Sequence, residues 1–557
     1  MRFQVGFAAL LIAALVLNAQ EVSKRDTVKI AGSVHPKAKP ANDRGPADPS
    51  QKIGYVSVMF QRTPQQQADL NALLQSQQNP QSPHFHQWLT PEQFGERFGA
   101  STADLTKVST WLKSQGLQIE RVARGRDWIA CSGTVAQFQT AFRTEIHHYR
   151  VDGEDHFANA TEISVPASFA GLIQIVRGLN DFNPKPAGAL RQIPHSDFTN
   201  SAGAHYLAPD DWAAIYDVAK LYSLGYTAAG QRLAVVGTSD IKASDIAQFQ
   251  SLFGLTSNNI EMHLGGTDPG LSSSQGEATL DLEWSGAIAR GATIAYDYAA
   301  NLYDAVQDAI DNDLAPVLSM SFGGCDATDA DVTYYDSIYA LKANSEGITW
   351  LASSGDSGPA NCDAHTSTSA TNGLSASFPA SSPLVTAVGG SEFNESPGGS
   401  YWSGTNTATL ASVLGYIPEM AWNESNLPNN AGLWSGGGGP SKVFPKPAWQ
   451  TGPGVPNDGA RDTPDIALTA AAHDGYRVVL NGNANYVDSG TSASTPSFAG
   501  VVAILNQYLI AKNVQSTPGL ANINPTLYSM WASTPSAFHD ITTGNNIVDC
   551  TIGTPDC

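Results

Sequence analysis

Ser492 stands in the run Ser489-Gly-Thr-Ser-Ala-Ser-Thr-Pro496, directly before the apolar stretch Phe498-Ala-Gly-Val-Val-Ala-Ile-Leu505. That stretch reads as a helix and sets Ser492 at or near its N-terminus. Unpaired N–H groups and the helix dipole there can stabilise a developing oxyanion. The same residues also suit a Ser/Thr-rich capping loop, so this run alone does not single out a nucleophile. It is not a hydrolase elbow, because Ser494 stands where a second glycine would be needed. A serine nucleophile needs a base. The histidines after residue 205 are His263, His365, His473 and His539, and none lies in a His-Gly-x-His setting. His365 and His473 fall in polar loops and read as surface residues.

A pair of carboxylates offers another base. Gly276-Glu-Ala-Thr-Leu-Asp-Leu-Glu-Trp284 opens a helix expected to run to Ala289, and Glu277 and Asp281 share one of its faces. Two acids so placed repel when both are ionised, which raises one pKa and favours a shared proton. An E-x-x-x-D pair is also an ordinary solvated helix face. Here Leu280, Leu282 and Trp284 surround it. The third element is Ala352-Ser-Ser-Gly-Asp-Ser-Gly358, which follows an apolar strand and sets Asp356 on a tight turn at that strand's carboxyl end. A structural Asx-turn would look the same.

The elements that must position these groups alternate from residue 206 onward. Arg232–Gly237, Thr293–Tyr298, 316–321 and 348–353 read as buried strands, with helices at 302–310 and 335–345 between them. Such alternation implies an α/β fold with a mostly parallel sheet covered on both faces, and its active site lies beyond the strands' carboxyl ends. Residues 51–182 read as a separate compact α+β domain. Gly54–Phe60 alternates as a strand, Thr90-Pro-Glu-Gln-Phe94 carries an N-cap and a proline at the first helical position, and Gly116 ends a helix begun near Ala103. Residues 183–205, rich in Pro, Gly, Ser and Asn, read as an exposed linker open to proteolytic nicking. Residues 20–50 read as a flexible leader. Arg2 and the apolar run Val5–Leu17 read as a signal peptide ending near residue 19, too short to be a membrane span.

Charge is distributed unevenly. Residues 1–205 hold 20 Lys and Arg against 17 Asp and Glu, and residues 206–557 hold 10 against 34. An acidic C-terminal part argues against nucleic acid as a partner. A slightly basic segment 1–205 is suited to cover it at neutral pH, and acid, by protonating carboxylates, is expected to weaken that attraction. Of the five cysteines, Cys325 with Cys362 and Cys550 with Cys557 are the expected disulfides in an exported chain. Cys131, inside an apolar run, is expected as a buried free thiol. No Cys/His spacing suggests zinc.

Taken together, the three motifs resemble those of the sedolisin family, the kumamolisin-like serine-carboxyl peptidases. The family's Ser-Gly-Thr-Ser-x-x-x-Pro is matched at Ser489–Pro496, its Glu-x-x-x-Asp at Glu277 and Asp281, and its Gly-Asp-Ser-Gly at Gly355–Gly358. The resemblance implies Ser492 as nucleophile, Glu277 as general base and acid with Asp281 hydrogen-bonded behind it, and Asp356 as the oxyanion-hole carboxyl. It implies a subtilisin-like fold and makes 51–182 an activation prodomain, through His86-Gln-Trp-Leu-Thr-Pro-Glu-Gln-Phe94 and Gly178-Leu-Asn. Leu207-Ala-Pro and Tyr216-Asp-Val resemble the start of the family's catalytic domain, so 206–557 is the expected peptidase domain. Ser319-Met-Ser-Phe-Gly-Gly324 resembles its substrate-flanking strand, which implies substrate contacts from Ser319, Ser321, Phe322 and Gly323. Phe322 stands where some relatives carry Trp.

The function implied is a secreted endopeptidase, made as a zymogen and held inactive by its own prodomain. It would act as a monomer, away from membranes, on protein or peptide substrates. Its optimum should be acidic, at about pH 3–5, because a Glu base and a protonated Asp donor both need acid. A tripeptidyl-peptidase, a catalytically silent binding protein of the same fold and a His-dependent enzyme active at neutral pH are the alternatives. The family's calcium site implies Ca2+ ligands at the Asp540 carboxylate and the Ile541 carbonyl. The later Gly-x-Gly-x-Asp that completes it has no match before Cys557. The expectation is therefore a truncated chain with an incomplete site, or a site completed by Asp549 or Asp556.

Overall fold

A computed structural model describes residues 26–557, apart from 152, 187, 189, 193–204, 328–331, 333–335, 397–398 and 428–430. The expected signal peptide and part of the linker lie outside the described residues.

The C-terminal part is built on an eight-stranded sheet. Its strands run in the order Asn259–Leu264, Thr293–Tyr298, Arg232–Gly237, Val317–Met320, Thr349–Ser353 and Thr386–Phe393, all parallel. Thr386–Phe393 then pairs with Ile466–Thr469 in parallel and with Glu419–Ala421 antiparallel. Buried Val, Ile, Leu and Ala fill the inner strands, as covered parallel sheets require. One face carries the helices Gln275–Ile288 and Thr491–Ala511, packed on each other. The two backbones approach closely at Gly500, where an added Cβ would lie 2.6 Å from Ile288 Cβ. The other face carries Leu302–Asp311.

The N-terminal part is an α+β domain with a four-stranded antiparallel sheet: Gln118–Val122, Trp128–Thr134, Lys52–Phe60 and Ile173–Arg177. Its helices start where the sequence places their caps. Thr90 Oγ1 accepts from Gln93 N and Gln93 Oε1 accepts from Thr90 N, a reciprocal capping box. Cys131 is buried and unbridged, and both expected disulfides are present.

Two expectations are corrected. The stretch from residue 26 to 50 is not a loose leader: Thr27–Lys29 pairs with Ser164–Pro166, and Asp43–Pro46 with Ile146–Val151. The described linker residues are not an exposed tether either. Lys185–Pro186 pairs antiparallel with Phe322–Gly323, and Arg191–Gln192 pairs antiparallel with Tyr486–Val487. In both places the backbone adds a short strand to an existing edge, which needs no side-chain periodicity and so leaves no pattern to read.

The N-terminal domain docks on the Leu302–Asp311 side. Arg121 pairs with Asp308 and Asp311, Arg177 with Asp304, and Asp127 with Lys342. Asp311 also accepts from the Arg124 and Gly125 amides at 2.9 Å each. Trp88 fills a space kept open by Gly347 and Gly519, where added Cβ atoms would lie 2.5 and 2.8 Å from the indole.

Candidate active site

Four elements converge beyond the carboxyl ends of the sheet strands. Thr491–Ala511 begins one residue before Ser492, and Ser492 is buried at its first turn. Gly490 precedes the helix with φ 97°, and a Cβ there would lie 2.0 Å from Asp356 Oδ2. Only glycine allows both that backbone and that approach.

Asp356 lies just beyond strand Thr349–Ser353. Its Oδ1 accepts from Thr491 N at 2.9 Å and from Thr491 Oγ1 at 2.7 Å, while its buried Oδ2 has no hydrogen-bond partner among the described residues. Burial pushes its pKa up to about 7, against the pull of the Thr491 hydrogen bonds. Below that pH it is a neutral acid with a proton to donate.

Glu277 and Asp281 are both buried on Gln275–Ile288. Burial first, then the Asp281 and Asp488 charges, push Glu277 well above the ordinary carboxylate range, and a hydrogen bond with Ser492 pulls it back. Burial likewise pushes Asp281 well up, against the pull of Ser321. Ser321 Oγ donates to Asp281 Oδ1 at 2.6 Å. Among the described residues Glu277 Oε1 and Asp281 Oδ2 each have no hydrogen-bond partner, so at these atoms Asp281 acts on Glu277 by charge. Ser492 Oγ also lies 3.3 Å from the Ser321 carbonyl oxygen, a second acceptor for its single proton.

Of the expected substrate contacts, Phe322 and Gly323 pair with the linker. Ser321 faces Asp281, and Ser319 is buried in the central sheet. Between the two linker strands the chain passes the nucleophile. A Cβ on Gly188 would lie 2.8 Å from Glu277 Oε2, 3.2 Å from Ser492 Cβ and 3.2 Å from Asp488 Oδ1. Leu190 follows, packed over Gly276. Gly188, Thr491 and Asp488 are site residues that motif reading missed. Asp488, four residues before Ser492, was visible in the sequence but belongs to no motif.

The calcium ligands fit less well. Asp540 is exposed, and among the described residues no three His, Cys, Asp or Glu side chains converge as a metal site. Asp549 Oδ2 is engaged by Asn426 Nδ2, and Asp556 Oδ2 by Leu374 N and Lys442 Nζ.

The geometry can carry acyl transfer. In such a reaction Glu277 would take the Ser492 proton as Oγ attacks a peptide carbonyl, Asp356 Oδ2–H together with the helix N-terminus would meet the oxyanion, and Glu277 would then hand its proton to the departing amine.

Comparison with known proteins agrees. Residues 39–182 match the family model "Pro-kumamolisin, activation domain", and residues 292–518 match the subtilase family. The chain is 32% identical to kumamolisin of Bacillus sp. (strain MN-32), over 95% of this chain and 91% of that protein. It is 29% identical to sedolisin of Pseudomonas sp. (strain 101), covering 86% and 80%, and 29% identical to human tripeptidyl-peptidase 1, covering 90% and 86%. A solved structure of Pseudomonas sedolisin, a serine-carboxyl proteinase complexed with two molecules of pseudo-iodotyrostatin, superposes with a TM-score of 0.50 at 29% identity, over 63% of this chain and 91% of that one. The chain is therefore a member of the sedolisin family of serine-carboxyl peptidases, carrying its own activation domain.

Proposed function

We propose that this peptidase is an acid-active, secreted endopeptidase that uses Ser492, Glu277, Asp281 and Asp356 and first cuts its own linker beside Gly188. The observation that carries the reading is the path of that linker. It pairs with Phe322–Gly323 before Gly188 and with Tyr486–Val487 after it. A cleft that holds a chain on both sides of the nucleophile suits an internal bond, which favours an endopeptidase over a tripeptidyl-peptidase.

Acid activity rests on Asp356. With its carboxyl pushed up to about 7, the group donates to an oxyanion in acid and repels one when ionised above that value. Secretion rests on the N-terminal apolar run and the two disulfides. Calcium would be held by the Asp540 carboxylate and the Ile541 carbonyl. Such binding is tested by whether EGTA lowers the melting temperature of the purified protein.

The functional test uses an N-acetylated peptide of about 12 residues at pH 4 and pH 8. An endopeptidase of this kind cuts it internally at pH 4 and not at pH 8, and Ser492→Ala does neither. Cutting only of the unblocked peptide, in steps of three residues, would instead identify a tripeptidyl-peptidase.

A further inference from the structure

Asp488 closes the strand Asn483–Asp488 and is 1% exposed. Its Oδ1 accepts from the Ser489 amide at 2.8 Å. The two residues before it in register, Tyr486 and Val487, pair with Gln192 and Arg191 of the linker. Asp488 therefore occupies the next position toward the nucleophile, on the side of the cleft that holds the chain after Gly188. When the bond beside Gly188 breaks, that is the side on which the amine departs. The position that a Gly188 Cβ would take is 3.2 Å from Asp488 Oδ1 and 2.8 Å from Glu277 Oε2. Two carboxyls, one from a helix and one from a strand end, thus face the same point of a bound chain.

We propose that Asp488 is a fourth carboxyl of the catalytic centre, a positioning residue that faces the bound chain beside Glu277 on the side where the amine departs. The inference rests on the serine-carboxyl mechanism proposed above. In the step concerned, the C–N bond of the substrate breaks as the ester to Ser492 Oγ persists. The electron pair of that bond goes to nitrogen, and nitrogen receives the proton that Glu277 took from Ser492. An adjacent negative charge favours the protonated form of Glu277 after it has accepted that proton.

The groups around Asp488 give it this influence. Glu277 and Asp281 face it from the helix, Asp356 from the oxyanion turn, and Tyr476 from the paired hairpin strand. Burial is the largest cause that raises the Glu277, Asp281 and Asp356 carboxyls, and the Asp488 charge adds a smaller push to each. Removing it lowers all three. Glu277 then loses its proton at lower pH and Asp356 ionises at lower pH, so both limbs of the activity profile move toward acid.

The test is the pH profile of kcat/KM for full-length zymogen, activated in acid, as wild type, Asp488→Asn and Asp488→Glu. Asn keeps an acceptor for the Ser489 amide and removes the charge. We expect both limbs of D488N to move down by about one pH unit, with kcat falling more than KM rises, and D488E to move them back toward wild type. If D488N does not fold, Asp488→Ser is used, with the same expected shift. A D488N profile that is lower everywhere but has unmoved limbs would mean a purely structural role and overturns the proposal. A wild type inactive at every pH, with the linker intact, overturns the mechanism on which it rests.

Discussion

Asp356 combines two roles that substitution can separate. Thr491 holds one oxygen, and the other faces the nucleophile's helix end. Asp356→Ala removes the donor and is expected to lower kcat at pH 4 by about 10²–10³-fold. Asp356→Asn keeps a donor that does not titrate. Its activity at pH 4 is expected to survive better than that of the alanine variant, and its fall-off near pH 7 to vanish. Asp356 is pushed up to about 7 by burial, so in the wild type the donor is present below that pH and lost above it. Rate profiles of the two variants from pH 3 to 9 check both outcomes. An unmoved alkaline limb in D356N would assign that limb to another group.

At the scale of elements, the site depends on how closely two helices approach. The helix of Glu277 and Asp281 packs on the helix that Ser492 begins, and Gly500 against Ile288 sets their spacing. Gly500→Ala forces a backbone shift at a 2.6 Å contact and is expected to cost about 1–3 kcal/mol. A lower melting temperature of the zymogen, together with slower self-cutting, would show it. These two helices and the strand before Asp356 were legible in the sequence, because each couples an apolar run to a motif of fixed spacing. The hairpin ending at Asp488 was not. Asn483-Ala-Asn-Tyr carries little strand propensity, and the strand is fixed by pairing with Tyr476–Leu480 and with the linker. Residues 26–50 were misread for the same reason: their short strands are edges whose partners lie more than a hundred residues away.

Across the whole molecule, the charge asymmetry of the sequence becomes a docked interface, but not one that acid simply loosens. Burial pushes Asp311 up, yet Lys342 and the Arg124 and Gly125 amides outweigh it and hold the carboxyl below its ordinary value. Docking supplies only the part of that lowering that comes from the Arg124 and Gly125 amides, and this part is lost as pH falls through the docked value. Asp304 goes the other way. Burial outweighs Arg177 and pushes it up to about 6, so its contribution is full below its free value and is lost as pH rises through about 6. Neither group loosens the interface between pH 4 and 6. Release is therefore expected only below that window, once the linker has been cut. When the linker of Ser492→Ala zymogen is nicked in trans, the two pieces should stay together on size-exclusion chromatography at pH 5 and part only below about pH 4. Separation at pH 5 would give acid the leading part.

The most direct measurement is intact-mass spectrometry of purified zymogen moved from pH 7.5 to pH 4, beside Ser492→Ala and Glu277→Gln. The account predicts that the wild type alone loses its N-terminal domain, with a first cut beside Gly188. A cut at that place in all three proteins, or in none while each stays folded, would contradict a Ser492–Glu277 centre acting on its own linker.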